Sequence, residues 1–307
     1  MRRHPHVTDP MDRSRFPVDP WRLVETSTSA DDPGLTETLF SVANGYLGMR
    51  GNPEEGRPSF AHGTFVNGFH ETWPIKHAEN AFGFAKTGQT IVNAPDAKVM
   101  KIYVDDEPLT FGTADLEAYE RTLDFRDGIL RRSLIWRTPS GKRVKIDSTR
   151  MVSMTQRHLA VMTLEVTLLT GNAPLVISSQ LLNRQDGRDE YHQHSDPTNA
   201  QGADPRKSAA FEERVLTPRM SYANDHRMLL GYQRPVRDDD RGRGRPPPAH
   251  HRRGRDPRPG RRRPGKMVFR VDATEGTTLR LNKIVAYHSS RGVPVRELSD
   301  RCDRTLD

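Results

Sequence analysis

The chain has 307 residues, room for one large domain or two ordinary ones, and its 34% hydrophobic content is low for a globular protein. It carries a formal net charge of +8 and a single cysteine, Cys302, which excludes an intrachain disulfide. No stretch approaches the ~18 apolar residues of a membrane-crossing helix. The start, MRRHPHVTDP, lacks the apolar run of a secretory signal, so a soluble cytoplasmic protein with no membrane partner is expected.

Residues 1–20 are polar and proline-rich and read as a flexible arm. From residue 21 to about residue 233 the chain reads as folded, with apolar residues recurring at period two. The densest stretch is Glu37 to Gly51, ETLFSVANGYLGMRG. Asn44, Gly45 and Gly48 permit tight turning, and Phe40, Val42, Tyr46, Leu47 and Met49 supply anchors, so a buried strand-turn-strand corner is expected. Gly45, Gly48 and Gly51 do not have the spacing of a dinucleotide loop, and no βαβ unit follows.

Further on, 98–104 (KVMKIYV) alternates: Val99, Lys101 and Tyr103 face one way, Met100, Ile102 and Val104 the other. Turn chemistry at Asp105, Asp106, Glu107 and Pro108 ends it. A hairpin signal at Asp127-Gly128 precedes a strand at 129–136, and Pro139 to Lys142 form a turn before another at 144–149. Strands are expected at 159–169 and 175–182, and weaker ones at 228–233, 267–272 and 279–287. After Pro294, the residues Val295, Leu298, Cys302 and Leu306 form one stripe of a terminal helix that has no obvious partner before Asp307. Many strands on short turns indicate an all-β fold, a large antiparallel two-sheet β-sandwich (supersandwich) over residues 21–290 with a short C-terminal linker helix at 291–307.

The segment 234–265, RPVRDDDRGRGRPPPAHHRRGRDPRPGRRRPG, interrupts this pattern. It holds 12 of the 48 basic and 4 of the 40 acidic residues, leaving 36 of each elsewhere, so the whole net charge lies here. That concentration, on a backbone with seven prolines and five glycines, speaks for a disordered stretch rather than a nucleic-acid-binding domain. Three readings stand: a basic linker that binds nucleic acid or phospholipid, a neutral flexible insertion, and a double frameshift in GC-rich coding DNA. Out-of-register GC-rich codons give Arg, Pro, Gly and Ala, and the strand pattern resumes abruptly at Lys266 to Phe269, which favours the frameshift. It requires that another reading frame of the coding DNA encode a strand-like apolar stretch here; two frames without one exclude it.

The pattern E-x-x-F-x-x-x-N-G-x-x-G-x-R-G, read at Glu37, Phe40, Asn44, Gly45, Gly48, Arg50 and Gly51, resembles the N-terminal signature of glycoside hydrolase family 65. That family holds maltose, trehalose and kojibiose phosphorylases and some acid trehalases. The resemblance continues through Gly63 to Val66, Glu71 to Pro74, Asn93 to Asp96, 116–149 and Asn183 to Gly187, and resumes from Met267. It implies an N-terminal sandwich, then a helical linker and an (α/α)6 barrel with the catalytic general acid, absent from this sequence. It implies an α-linked glucose disaccharide as substrate, inorganic phosphate as co-substrate in the phosphorylases, no cofactor, the barrel as intramolecular partner, and a homodimer.

Glycosidic cleavage needs a carboxylic acid for the leaving oxygen and a nucleophile on the opposite face. No catalytic residue is assigned here. Asp105, Asp106 and Glu107 read as a solvated turn, and Asp124 and Asp127 as hairpin charges. His192 and His194, near Asp189, Glu190 and Asp196, read as a polar loop rather than a metal site. Ser153 and His158 have no triad context. His70, Glu71 and Trp73, in FHETWPI, are the carbohydrate-contact candidates, because Trp can stack on a sugar ring. The rival readings are a stand-alone carbohydrate-binding or interaction module with a basic disordered arm, and an intact enzyme with an unrecognised site.

Overall fold

The computed structural model describes residues 9–56, 58–75, 77–79, 81–181, 229–237, 265–289, 294 and 297–306, with backbone alone at 70–74, 90, 92, 229–237, 265–266, 299 and 303. In chain order the elements are β1 (Arg22–Glu25), α1 (Pro33–Leu39), β2 (Val42–Ala43), β3 (Leu47–Met49), β4 (Thr64–Pro74), β5 (Thr87–Asn93), β6 (Met100–Val104) and β7 (Glu107–Pro108). There follow β8 (Asp115–Asp124), β9 (Ile129–Arg137), β10 (Arg143–Val152), β11 (Leu159–Leu168), β12 (Ala173–Leu181), β13 (Leu229–Arg237), β14 (Gly265–Ala273), β15 (Thr278–Ser289) and α2 (Leu298–Leu306).

The strands join into a seven-stranded sheet, β1-β8-β9-β10-β11-β15-β13, and two four-stranded sheets, β14-β12-β6-β7 and β2-β3-β4-β5. The strand pairs are antiparallel. Short turns allow this. Asp105 and Asp106 both take positive φ, 50° and 61°, and reverse the chain between β6 and β7. Gly128, at φ 68°, does the same between β8 and β9.

Period-two alternation decides which residues meet. On β9, Leu130, Leu134 and Trp136 turn inward; on β10, Val144, Ile146 and Val152; on β11, Ala160, Met162, Leu164, Val166 and Leu168. They form one core with Met100, Ile102 and Val104 of β6, Leu175 and Ile177 of β12, and Val42, Leu47, Met49 and Val66 from β2 to β4. Burying each such aliphatic side chain contributes about 1.5–3 kcal/mol, and this drives the layers together. The fold is the expected all-β sandwich, and its second layer consists of two sheets rather than one.

Four details differ from the expectations drawn from sequence. Residues 12–20 are not a flexible arm: Phe16 is buried, and Arg15 reaches Glu25 at 2.6 Å and Asp32 at 2.8 Å. The 37–51 corner opens with the end of a helix, α1, which Pro33 starts. The backbone of β13 runs through Arg234, Pro235, Val236 and Arg237, four residues into the segment whose composition argues against strand. Among the described residues β13 is the last strand of its sheet, a position where a proline is tolerated because one side of the backbone makes no ladder. Finally, α2 has its partner within this chain: Leu298 and Cys302 are fully buried, and Cys302 Sγ lies 3.9 Å from the Ala286 carbonyl of β15.

Lys283 of β15 is also fully buried, its Nζ donating to the carbonyls of Gln180 at 2.8 Å and Val99 at 3.2 Å. Burial lowers its pKa to about 7 from 10.5, with repulsion from Arg150 and Lys98 in the same direction and attraction to Asp96 opposing it. Between pH 7 and 10.5 the unfolded chain therefore holds a proton that the folded chain has released. Stability should rise with pH across that window, at up to about 1.4 kcal/mol per pH unit, with the penalty complete below pH 7. Urea unfolding of the wild type and Lys283→Met at pH 7, 8 and 9 measures this: the rise should vanish in the variant, and equal slopes would exclude Lys283 as its source.

Candidate functional site

The signature at 37–51 does two separate jobs. At one end it closes the inner layer. Glu37 of α1 is buried; its two carboxylate oxygens accept the backbone N–H groups of Phe60 at 2.8 Å and Ala61 at 3.0 Å. Arg50 lies 3.6 Å from the same carboxylate, and the N–H of Gly51 donates to the Glu37 carbonyl at 2.7 Å. A Cβ on Gly51 would sit 2.7 Å from Phe40 Cβ and 2.8 Å from its carbonyl oxygen, so a side chain there is excluded by backbone. Gly48 faces only Ala43 Cβ, at 3.6 Å.

At the other end the signature shapes a cleft of about 520 Å³. Asn44 is saturated: its Oδ1 accepts the N–H groups of Tyr46 and Leu47, and its Nδ2 donates to the carbonyls of Ser153 at 2.6 Å and Arg157 at 3.0 Å. Gly45 turns at φ 84°, and its carbonyl accepts from Asn67. Tyr46 then projects beside Arg157, whose guanidinium carbon is 5.3 Å from the ring centre, and meets His158 edge-on at 4.3 Å.

The cleft also takes His288 and Ser289 from the end of β15 and Arg301 from α2. His158 and His288 stack at 3.9 Å with 14° between the planes. Their hydrogen bonds assign their protons. His158 Nδ1 donates to the Tyr287 carbonyl at 3.0 Å while its Nε2 accepts from Arg157 Nε at 3.1 Å, so this imidazole is neutral. Thr305 gives its hydroxyl proton to the Arg301 carbonyl, leaving its oxygen to accept from His288 Nε2 at 2.9 Å. Burial lowers both histidines, His288 to about 4; His158, Arg301 and Arg157 add repulsion at His288, and Arg157 and Arg301 do so at His158.

Of the candidate residues singled out from the sequence, His158 lies in the cleft, and the others lie elsewhere or outside the described residues. The backbone of His70, Glu71 and Trp73 lies in β4, opposite Ile91, Thr90 and Gly88 of β5; their side chains are outside the described residues. Asp105 pairs with Lys142 at 3.1 Å, and Glu107 accepts from Ser140 at 2.9 Å, so both are turn residues. Asp124 accepts the N–H of Arg126 at the β8–β9 turn. Ser153 accepts from Gln156 N–H in the β10–β11 turn. His192 and His194 lie outside the described residues. Among the described residues, no group of three His, Cys, Asp or Glu side chains is placed to hold a metal, and no helix is long and apolar enough to cross a membrane. Arg157, His288 and Arg301 carry no local signal, because the cleft joins segments more than a hundred residues apart.

Residues 23–307 match the family description "Glycosyl hydrolase family 65, N-terminal domain". The chain belongs to glycosyl hydrolase family 65. An uncharacterized glycosyl hydrolase of Mycobacterium tuberculosis is 36% identical over 197 residues, covering 64% of this chain and 24% of that protein. An alpha,alpha-trehalose phosphorylase of Thermoanaerobacter brockii is 37% identical over 182 residues, 57% of this chain and 24% of its own length. A maltose phosphorylase of Bacillus subtilis is 31% identical over 207 residues, 66% of this chain and 27% of that protein. The chain thus spans about a quarter of these curated relatives. A solved structure from the human microbiome, assigned as a kojibiose phosphorylase, superposes with a TM-score of 0.71 at 17% identity, covering 95% of this chain and 36% of that one, and supports the fold.

The two signature glycines give the family pattern a physical test. Gly51→Ala forces Phe40 and its backbone to move and should cost about 1–3 kcal/mol, whereas Gly48→Ala meets ordinary van der Waals contact and should cost under about 1 kcal/mol. Denaturant midpoints of the two variants measure the difference; equal midpoints would place the steric constraint elsewhere.

Proposed function

We propose that this chain is the N-terminal sandwich of an enzyme that cleaves α-linked glucose disaccharides, that it supports a catalytic barrel, and that it does no chemistry alone. The observation that carries this reading is the direction of carboxyl acidity. A general acid for a glycosidic oxygen must hold its proton near neutral pH, so its pKa is raised. Among the described residues the perturbed carboxyl groups are shifted down. Burial opposes ionisation of Glu54 and Asp96, but Arg132 and Arg150 beside Glu54, and Lys98 and His62 beside Asp96, outweigh it. Glu107, Glu117 and Asp124 are lowered too; Ser140 hydrogen bonds outweigh desolvation at Glu107, and Arg137 with Arg143 act at Glu117. These groups are ionised scaffold, unsuited to donate a proton.

The family match and the quarter-length coverage of phosphorylases agree with a division of labour between domains. The β4–β5 hairpin is the part we assign to contact with the barrel or the sugar, through His70, Glu71 and Trp73. Phe82 and Phe84, between its strands, are exposed, as suits a surface that another domain covers. Inorganic phosphate is the second substrate if the bond is broken by phosphorolysis. The reading includes a cytoplasmic location, with which a single cysteine and no intrachain disulfide agree, and a homodimer as in the family the signature resembles.

The purified 307-residue chain, given maltose, trehalose or kojibiose with and without phosphate, should release neither glucose nor glucose 1-phosphate. Turnover that disappears when one of its own carboxylates is replaced would refute the scaffold role.

A further inference from the structure

The cleft beside the Asn44-Gly45 turn has no part in the scaffold role, and its chemistry is one-sided. Among the described residues Arg157 and Arg301 line it, and no Asp or Glu does. Among the described residues Arg157 has no carboxylate within ion-pairing distance; its Nε is spent on His158 and the rest of the guanidinium stands on an exposed turn. Among the described residues Arg301 pairs only with Glu297, one helical turn away at 3.4 Å and half exposed, and its buried Nε has no hydrogen-bond partner. An exposed i,i+4 pair of that kind is weak and gives way to a better acceptor.

Asn44 and Tyr46 do not favour a neutral ligand. Asn44 has no hydrogen-bonding capacity left, and one face region of Tyr46 is taken by Arg157 and its edge by His158, so neither is ready to hold a sugar ring. Two guanidinium groups over a cleft of about 520 Å³ are instead suited to a planar or tetrahedral oxyanion held by forked N–H donors.

We propose that this cleft is an oxyanion site that takes a phosphate dianion, free or carried on a sugar. The proposal is independent of the scaffold role. Arg157 and Arg301 supply the charge-assisted hydrogen bonds. The charged and titratable groups around the site are Arg157 and His158 from the β10–β11 turn, Tyr46 from the β2–β3 turn, His288 from β15, and Arg301, Arg304 and Glu297 from or before α2. The two imidazoles are kept neutral partly by repulsion from these arginines, and a bound dianion reverses that field. Binding therefore draws protons onto the histidines, and affinity for an anion of fixed charge rises as pH falls.

The test is calorimetric titration of the 307-residue chain with inorganic phosphate, and with sulfate, whose charge does not change near neutral pH. Saturable one-to-one binding is expected, weakened about tenfold in Arg157→Gln and again in Arg301→Gln. Sulfate should bind more tightly at pH 5 than at pH 8. Circular dichroism checks folding; should Arg301→Gln unfold, Arg157→Gln, on an exposed turn, decides alone. Glucose 1-phosphate should compete: tighter binding than phosphate identifies a sugar phosphate as the source, and equal binding the free ion. No saturable binding by the folded chain, unchanged affinity in Arg157→Gln, or competition by neutral glucose would each overturn the proposal.

Discussion

The sandwich depends on a layer of ion pairs at a place where a sandwich is ordinarily apolar. The large sheet turns Arg121, Arg132 and Arg150 inward from β8, β9 and β10, and all three are buried. Each finds a carboxylate from the N-terminal quarter of the chain: Arg121 meets Glu25 at 2.6 Å, Arg132 meets Glu54 at 2.8 Å and Glu55 at 2.7 Å, and Arg150 meets Glu54 at 2.7 Å. Arg15 joins through Glu25 and Asp32. Taking such charges out of water costs several kcal/mol per ion, so the layer is tolerable only when complete; removal of one partner is worth about 3–5 kcal/mol. The arginines also hold backbone. Arg121 donates to the Gly51 carbonyl at 3.0 Å, and Arg150 to those of Arg50 and Asn52, each at 2.9 Å. The loop after β3 is thus fixed by charge to the sheet it crosses, and it has no regular structure of its own to fix it otherwise.

This explains what can and cannot be read from the sequence. The strands at 98–104, 129–136, 144–149, 159–169 and 175–182 are legible within a residue or a few, because their cores are aliphatic and alternate at period two. The same alternation misleads at Arg132 and Arg150, which occupy inward positions on β9 and β10 but look like solvent-facing charges. Their partners, Glu54 and Glu55, lie 77 to 96 residues away, a separation no local pattern can bridge. Phe16 and Arg15 escape a local reading for the same reason: a polar, proline-rich stretch looks loose until Glu25 and Asp32 are seen to anchor it. α1 has only seven residues, too short for a period to declare itself.

The basic segment has a topological context of its own. β13 ends at Arg237 as the last strand of the large sheet, and β14 begins at Gly265 as the first strand of a different sheet. Among the described residues neither strand is sandwiched between two ladders. Altered sequence between them adjoins β13 and β14 and leaves the pairings β10–β11, β11–β15 and β12–β6 untouched. A fold with edges there can carry a foreign stretch that the same fold would not survive between β9 and β10, whose nine-residue register places two core strands side by side. This holds equally for an insertion and for a frameshift, so the topology does not depend on which one produced the segment.

The signature that resembles the family joins these two themes. Its outer residues, Glu37, Arg50 and Gly51, complete the inner layer, and its middle residues, Asn44, Gly45 and Tyr46, build one wall of the cationic cleft. Asn44 is the link: two of its amide's hydrogen bonds close the β2–β3 turn, and the other two tie that turn to the β10–β11 turn that carries Arg157 and His158. The Tyr46 and Arg157 walls of the cleft cannot part without breaking that amide's bonds, and the turn cannot move without disturbing β3, whose Met49 and Leu47 are core. The position of Arg157 is therefore set by the same packing that holds the sandwich closed. Both ends of the signature act by holding charge in place, Glu37 and Arg50 inside the fold and Arg157 at its surface.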